Sequence, residues 1–303
     1  MTELLFGFNL TFAAKRWPET DAWAQLVASM GIHHVQYSFD LWDPEIGSDL
    51  SACDEIRDRA EHHNVSISST FTGASQYAQN LLAHPDPAAR ERAEAWYVRA
   101  IQASGRLGAR AAGGHMGAMS VATAADPERR AAAISGLEDA VRRLSKVAAD
   151  VGLAALQWEI MPVAREHPAS IESTEGMLDR LSNADVPVEL CLDTGHACAA
   201  GADGPDVDPY AWLERLIDRC WSVHLQQTDG AADRHWPFTQ NHAENGIIDP
   251  ERILRIVEGS TRPSIELMLE QIPAPEVADE VVVEEARASV EHWQRRLAER
   301  AQV

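Results

Sequence analysis

The amino-acid sequence predicts an α/β protein, a single-domain (β/α)8 barrel that takes in residues 1–303. Two observations predict this fold. Short apolar runs rich in β-branched residues alternate with longer segments of helical period, eight of each. No low-complexity stretch, sequence repeat or interdomain linker breaks this alternation. Because such barrels often run to ~250 residues or more as one unit, a length of 303 residues does not require a second domain.

The predicted strands lie at residues 4–9, 34–39, 65–71, 109–113, 154–159, 188–193, 222–226 and 264–270. A helix is predicted after each strand, and the last of these helices covers about residues 279–300. The helices are predicted to begin near Thr20, Leu50, Pro87, Pro127, Ser170, Pro209, Pro250 and Asp279.

Local signals mark the ends of several of these helices. An aspartate followed by proline is a typical start, because the acid caps free N–H groups and proline fits the first helical turn. Four such pairs occur: Asp86-Pro87, Asp126-Pro127, Asp208-Pro209 and Asp249-Pro250. A glycine ends three helices, at Gly31, Gly108 and Gly152. The longest helix, predicted over residues 126–150, spaces its apolar side chains as a face packed on a sheet requires. These are Ile134, Leu137, Val141 and Leu144.

A doubly wound open sheet is the alternative architecture for alternating strands and helices. Its nucleotide-binding versions carry a glycine-rich loop after the first strand. Neither GxGxxG nor GxxxxGK[ST] occurs there in this sequence. The count of eight strand–helix units therefore favours the closed barrel.

The charge balance restricts the class of partner. The formal net charge is −21, from 26 Lys and Arg against 47 Asp and Glu. Such a charge repels phosphate backbones and anionic lipid surfaces, so neither nucleic acid nor membrane is an expected partner. A small anionic substrate is still allowed, because a few local cations can hold one phosphate. A small sugar or sugar phosphate is the expected partner, and a homo-oligomer is possible.

The remaining composition favours a cytoplasmic protein. The four cysteines include no CxxC pair and suggest no disulfide framework. The N-terminal residues lack a basic segment and a signal-peptide cleavage site, and no apolar run approaches the ~18 residues of a membrane span.

Metal-ligand residue types stand at the ends of four consecutive predicted strands. They are Glu159, Asp193, His224 and Glu270. Because the carboxyl ends of barrel strands meet at one face, these side chains should converge. Three carboxylates and one imidazole suit one divalent cation, Mn²⁺ in the first place and Mg²⁺ or Co²⁺ as alternatives. Helix-capping acids beside a core histidine are the other interpretation, but burying three carboxylates together without a cation costs several kcal/mol.

This pattern resembles the xylose isomerase-like TIM-barrel superfamily, in its sugar phosphate isomerase/epimerase branch. The resemblance covers essentially the whole chain. The DTGH of residues 193–196 resembles the Asp-x-x-His signature of that branch, and the order of the four strand-end residues resembles its metal ligands. Within the branch, several runs resemble enzymes that handle erythrulose phosphates and related short ketoses. These runs are GGHMGA (113–118), ELCLDTGH (189–196), HLQQTDG (224–230), DRHWPFT (233–239) and NGIIDPERIL (245–254).

The resemblance implies a metal-dependent isomerase or epimerase of a C4–C5 ketose or ketose phosphate. The metal would stabilise an enediolate, and Glu159 and Glu270 would act as an acid/base pair on opposite faces of the substrate. Inversion at C3 would make the protein a ketose 3-epimerase. A shift between C1 and C2 would use the same groups for aldose–ketose isomerisation, and the sequence leaves this choice open.

Several further residues are candidates for substrate binding. His196 follows Asp193 and would lie over the site, or else cap a helix. His115 stands among glycines at residues 113, 114 and 117, as close approach to a ligand would require. Asn9 and Gln36 end the first two strands, where barrel residues of this family meet substrate.

A phosphate group would need a cation at the mouth of the barrel. Arg234 and His235 lie in a loop beside Trp236, and Arg165 follows the fifth strand. Each is predicted either to receive a phosphate or to be a solvated surface base.

Three rival functions share the barrel. A nuclease similar to endonuclease IV is suggested by Asp233-Arg234-His235 and by His115, but the third strand ends in Ser69-Thr70-Phe71-Thr72 without that family's histidine, and the net charge opposes duplex binding. A metal-dependent decarboxylase of a 3-oxo sugar acid would use the same ligands and the same intermediate. A non-catalytic sugar-binding barrel would not need the acid pair.

Overall fold

In the computed structural model, which describes residues 2–45 and 49–300, eight parallel strands close into a barrel. Each strand pairs with the next in sequence, and β1 pairs with β8. The strands are β1 (Glu3–Asn9), β2 (His34–Ser38), β3 (Ser66–Phe71), β4 (Ala111–Gly114), β5 (Ala155–Glu159), β6 (Val188–Asp193), β7 (Cys220–Leu225) and β8 (Ser264–Leu269). The predicted (β/α)8 barrel is confirmed.

Helices surround the barrel. They are α1 (Thr20–Ser29), α2 (Ser51–His62), α3 (Pro87–Arg106), α4 (Val121–Ala125), α5 (Pro127–Asp150), α6 (Ile171–Arg180), α7 (Pro209–Leu216), α8 (Gln240–Ala243), α9 (Pro250–Glu258) and α10 (Asp279–Arg300). The short helices α4 and α8 were not predicted; they lie in the loops after β4 and β7. None of the helices in the described ranges is both long and apolar enough to cross a membrane.

The predicted helix signals act as expected. In each Asp-Pro pair the aspartate side chain accepts a hydrogen bond from a backbone N–H of the first turn, so α3, α5, α7 and α9 are capped. Gly31, Gly108 and Gly152 have positive φ values of 76°, 81° and 83°. Only glycine adopts this left-handed conformation without strain, which explains its position at these helix ends.

Two irregularities in the strand register could not be read from the sequence. Between β2 and β3, Val35 pairs with Ile67 but Gln36 pairs with Ser69, so Ser68 is an extra residue. Between β6 and β7, Leu190 pairs with Cys220 but Cys191 pairs with Ser222. Such a bulge changes the direction of the side chains that follow it. The first bulge therefore places Ser69 beside Gln36 inside the barrel.

The barrel interior is partly polar. Gln36, Ser69, Gln157, Ser222 and Glu266 are all buried there, exposed by 3% or less. Their polar atoms bond to one another, as between Ser222 Oγ and Gln157 Oε1 at 2.6 Å. The apolar core lies between the strands and the surrounding helices, where Leu137, Val141 and Leu144 of α5 are buried.

The structure gives a reason for the glycines around His115 other than the predicted close approach to a ligand. A Cβ atom on Gly113 would lie 1.8 Å from the backbone oxygen of Gln157, and one on Gly117 would lie 1.8 Å from that of His167. These glycines allow neighbouring strands and loops to approach each other. Their lack of side chains is thus explained by chain packing rather than by a ligand.

Candidate metal centre and active site

The four predicted metal ligands meet at the carboxyl ends of β5 to β8. Glu159 and Asp193 are the last residues of their strands, His224 is the next-to-last residue of β7, and Glu270 directly follows β8. All four are buried, and one ligand atom from each lies within 4.8 Å of those from the others. The barrel thus brings together residues that are far apart in the sequence.

His224 is at the centre of this cluster. Its Nδ1 atom lies 3.2 Å from Glu159 Oε1, 3.0 Å from Glu270 Oε2 and 4.0 Å from Asp193 Oδ2. The other ring nitrogen, Nε2, lies 2.6 Å from Gln36 Oε1. Nδ1 is buried and has no hydrogen-bond partner.

The two carboxylate oxygens of Asp193 differ in the same way: one makes hydrogen bonds and the other makes none. Its Oδ1 accepts hydrogen bonds from the backbone N–H of Gly195 at 2.6 Å and from Gln226 Nε2 at 2.8 Å. Its Oδ2 is buried without a partner. A buried polar atom without a partner is costly, so these two atoms fit a cation placed between the four residues. Three carboxylates and one imidazole are ligands for Mn²⁺, Mg²⁺ or Co²⁺.

The electrostatics of the cluster also favour a positive charge at this point. Burial raises the pKa of Asp193 to about 7. Burial alone would lower the pKa of His224, but Cys191 and Glu270 hold it well above its usual value. The shift of His224 reflects the negative charge of the groups around it, whereas the shift of Asp193 reflects its removal from water. A divalent cation would balance that negative charge.

A cavity of about 230 Å³ opens beside the cluster. Its lining residues are Thr11, Phe71, Ala74, Tyr77, His115, Glu159, Met161, His196, Asp233, His235, Glu270 and Ile272. Of the four candidate ligands, only Glu159 and Glu270 line this cavity. These two are therefore the ones placed to contact a substrate as well as a cation.

His196 and His235 face the cavity, together with Asp233. Since His196 Nδ1 lies 2.8 Å from the carbonyl oxygen of Ile160, Nδ1 carries a proton, and Nε2 lies 3.4 Å from Asp233 Oδ2. Burial would lower the pKa of His196, but Asp193 and Asp233 hold it well above its usual value. His235 Nε2 lies 3.1 Å from Asp233 Oδ2; burial would lower the pKa of His235, but Asp233, Glu270 and Asp193 together raise it to about 9. Both imidazoles therefore bring positive charge to the cavity.

His115 lines the other side of the cavity. Its Nδ1 lies 3.2 Å from Thr72 Oγ1, and its ring meets the ring of Tyr77 edge to face at 5.0 Å. Burial lowers the pKa of His115, which makes it a neutral hydrogen-bonding group at neutral pH.

The two arginines predicted to receive a phosphate lie outside the lining of the cavity. Both Nε and Nη2 of Arg234 donate to the carboxylate of Asp229, at 3.1 and 2.9 Å, and the guanidinium lies over the ring of Trp236. Arg165 donates to the backbone oxygen of Met119 at 2.5 Å. Both arginines are therefore already bound within the protein, Arg234 by a carboxylate and Arg165 by a backbone carbonyl.

Asn9 and Gln36 are also placed differently from the prediction. Both are fully buried, and neither lines the cavity. Asn9 Nδ2 donates to Gln36 Oε1 at 2.8 Å, and Gln36 contacts His224 from below. In this position they support a candidate ligand, His224.

Gln226 is a residue of this site that the sequence did not reveal. Its Nε2 donates to Asp193 Oδ1 and, at 2.7 Å, to Asp233 Oδ1, and its Oε1 accepts from the backbone N–H of His235. It thereby joins the cluster of candidate ligands to the loop after β7. Gln226 lies two residues after His224, directly after the end of β7, and this spacing along an extended chain is the signal that could have found it.

A family model for the xylose isomerase-like TIM barrel matches residues 24–294. The chain belongs to the xylose isomerase-like TIM barrel family. This membership confirms the resemblance inferred from the strand-end residues.

One curated relative and two solved structures show what the chain is similar to. It is 26% identical over 297 residues to a D-erythrulose 1-phosphate 3-epimerase of Brucella abortus (strain 2308), which covers 96% of this chain and 95% of the relative. A putative xylose isomerase from Rhodospirillum rubrum ATCC 11170 superposes with a TM-score of 0.87 and 30% identity, over 97% of this chain and 99% of that one. A D-psicose 3-epimerase from Clostridium cellulolyticum H10 shares the fold, with a TM-score of 0.70 and 14% identity over 96% and 98% of the two chains.

Proposed function

We propose that the protein is a divalent-metal-dependent isomerase or epimerase of a small ketose or ketose phosphate of four or five carbons, and specifically a ketose 3-epimerase. The similarity to a D-erythrulose 1-phosphate 3-epimerase along nearly the whole chain supports the sugar substrate and the reaction class. The family supports the same class.

One observation carries the proposal. The four ligand atoms converge within 4.8 Å, and two of them, His224 Nδ1 and Asp193 Oδ2, are buried and make no hydrogen bond. Beside this point, only Glu159 and Glu270 among the four reach the cavity. The arrangement combines a cation site with two carboxylates that a substrate can touch.

The chemistry follows from this arrangement. A bound cation supplies the charge that makes the C–H beside the substrate carbonyl acidic. Glu159 and Glu270 flank His224 Nδ1, at 3.2 and 3.0 Å, and they come from strands on different parts of the rim. One carboxylate takes the proton from C3 on its side, and the other returns a proton on the opposite side, which inverts C3. His115 and His196 are placed to hold substrate hydroxyls.

A phosphate on the substrate would need a cation within the cavity. Arg234 and Arg165 do not supply one, because they are bound to Asp229 and to Met119. His235 remains as the cationic candidate, since its pKa is raised to about 9.

Proton NMR in D₂O tests the proposed reaction. The protein is loaded with Mg²⁺ in place of Mn²⁺ and given a panel of C4 and C5 ketoses and their phosphates. We expect deuterium at C3 of the substrate, together with formation of the C3 epimer. Deuterium at C1 would instead indicate an aldose–ketose isomerase, and loss of a carbon from a 3-oxo sugar acid would indicate a decarboxylase. Activity of the metal-stripped protein equal to that of the loaded protein would rule out the metal-dependent mechanism.

A further inference from the structure

A line of buried polar side chains leads from His224 into the barrel interior. His224 Nε2 lies 2.6 Å from Gln36 Oε1, Gln36 Nε2 lies 3.2 Å from Ser69 Oγ, and Ser69 Oγ lies 2.5 Å from Glu266 Oε2. The first three residues are completely buried, and Glu266 is 3% exposed. Apart from His224, none of them belongs to the metal cluster or lines the cavity.

In each of these hydrogen bonds, the donor is the residue nearer to His224 and the acceptor is the residue nearer to Glu266. Asn9 Nδ2 donates to Gln36 Oε1, which fixes that atom as the acceptor of the amide. The Nε2 atom of His224 must therefore carry a hydrogen to bond the same oxygen. The amide nitrogen of Gln36 then donates to Ser69, and the Ser69 hydroxyl donates to Glu266. With its hydrogen on Nε2, a neutral His224 has its lone pair on Nδ1, the atom that faces the three carboxylates.

The charge balance explains why an amide contacts the histidine. A metal-binding histidine usually donates its second N–H to a carboxylate, a carbonyl or water, and this bond orients the ring. Here three carboxylates already surround the cation site. A fourth carboxylate touching His224 would add negative charge in a buried place. Gln36 offers an acceptor without charge, and the nearest carboxylate of the line, Glu266, is separated from His224 by two side chains.

We propose that Gln36, Ser69 and Glu266 are positioning residues that hold His224 in the tautomer with Nδ1 free to bind the metal. The bulge between Val35 and Gln36 is part of this arrangement, because it places Ser69 rather than Ser68 opposite Gln36. The inference rests on the proposed function only in requiring that the four-residue cluster binds a divalent cation.

The test is the dissociation constant for Mn²⁺, measured by titration calorimetry on the metal-stripped full-length protein. Gln36→Leu removes the acceptor and should weaken Mn²⁺ binding about 10- to 100-fold, the usual effect of losing a partner of a metal-bound histidine. Ser69→Ala and Glu266→Gln should weaken it less, in the same direction. In the Gln36→Leu background, Ser69→Ala should have no further effect, because Ser69 acts through Gln36.

The matched control is Ser104→Ala. Ser104 is as buried as Ser69, but it belongs to α3. Its hydroxyl bonds Thr70 Oγ1 at 2.7 Å, on the outer side of β3. It should leave the Mn²⁺ dissociation constant unchanged. Ser69→Ala keeps the test valid if Gln36→Leu does not fold.

The outcomes separate this inference from the proposed function. Failure of the wild-type protein to bind Mn²⁺ would contradict the metal site itself, and with it both proposals. If the wild type binds Mn²⁺ and Gln36→Leu and Ser69→Ala bind it equally well, the positioning role is wrong. The positioning role is also wrong if Ser104→Ala weakens Mn²⁺ binding as much as Ser69→Ala does. The same holds if Gln36→Leu and Ser69→Ala lower only the melting temperature of the metal-free protein.

Discussion

At the scale of single residues, the two glutamates of the cluster are placed alike but not identically. Each has an oxygen about as close to His224 Nδ1, and both line the cavity. Glu270 also has His235 Nδ1 at 3.6 Å, whereas Glu159 has His196 Nδ1 at 4.0 Å. Each of the two carboxylates therefore lines the cavity with its own imidazole neighbour.

We expect this difference to separate the two bases in an exchange experiment. Replacing one glutamate by glutamine keeps an oxygen ligand and removes one base. In D₂O, Glu159→Gln should exchange the C3 proton of one epimer only, and Glu270→Gln that of the other, while neither variant converts the epimers. Proton NMR measures the exchange, and metal content is measured in parallel. If one metal-loaded variant exchanges both epimers equally, or neither variant exchanges either, a one-base or C1–C2 mechanism replaces the two-base proposal.

A second prediction at the residue scale concerns which residue of the loop after β7 binds a substrate phosphate. Since Arg234 is paired with Asp229, Arg234→Ala should leave KM for a phosphorylated ketose nearly unchanged. His235→Gln should raise that KM about 10- to 100-fold, the effect of losing one charge-assisted contact of ~1.5–3 kcal/mol. Steady-state kinetics with matched phosphorylated and unphosphorylated ketoses measure both. An equal rise on the unphosphorylated sugar would show that His235 has another role.

At the scale of elements, Glu166 connects the loops that follow β3, β4 and β5. Its carboxylate is 2% exposed and accepts hydrogen bonds from the hydroxyl of Tyr77 and, at 3.2 Å, from Asn80 Nδ2. The side-chain oxygen of Asn80 in turn accepts from the backbone N–H of Ala118 at 3.0 Å. Tyr77 lines the cavity, so this network holds part of the cavity wall in place.

The same residue should make stability depend on pH. Burial raises the pKa of Glu166 from 4.5 to about 7, so between these values the folded protein binds a proton that the unfolded chain has lost. Its contribution is therefore greatest at low pH and falls as the pH rises through about 7, by a few kcal/mol in total. Glu166→Gln, which has no charge to bury, should lack this decline and be more stable than the wild type at pH 8.

Urea unfolding from pH 5 to pH 8 measures this difference. Glu91→Gln, on the exposed side of α3, is the control and should follow the wild type at every pH. A constant difference between Glu166→Gln and the wild type over the whole range would contradict the expected titration.

At the scale of the whole molecule, closure of the barrel is what brings the four candidate ligands together. Residues 159, 193, 224 and 270 come from four strands, and no two of them are neighbours in sequence. The unfolded chain therefore has no such site, and a cation that binds only the folded protein must stabilise it.

Mn²⁺ should consequently raise the melting temperature, and EDTA should reverse the effect. At 100 times the dissociation constant, the gain in unfolding free energy is about 2.7 kcal/mol. Asp193→Asn should abolish the gain and the activity: because Gly195 and Gln226 hold Oδ1, the atom facing the cation becomes an amide nitrogen, which carries no charge and does not bind metal. Asp179→Asn, a surface carboxylate paired with Arg219 at 3.4 Å, should keep both. A thermal scan with and without Mn²⁺ measures the shift, and an equal shift in Asp193→Asn would contradict the proposed ligand.

The sequence alone determined the order of the eight strands and of the long helices that follow them, and the convergence of four ligand-type residues. These features depend on local physics. Helix periodicity, aspartate caps and end glycines act within a few residues, so α5 and its flanking turns are predicted almost to the residue. A parallel barrel then sends every strand end to one face, so Glu159 and Glu270 had to meet once eight strands were recognised.

Only the tertiary structure decided which partner each polar side chain takes. Arg234 was predicted for a phosphate, but its loop turns it toward Asp229. Gln36 was predicted for a substrate, but the barrel register places it under His224, with Ser69 beside it through a bulge. Such choices depend on contacts between residues distant in sequence, and a shift of one residue in register changes the face on which a side chain lies. The composition and periodicity of the sequence are the same in either case, so they could not have distinguished them.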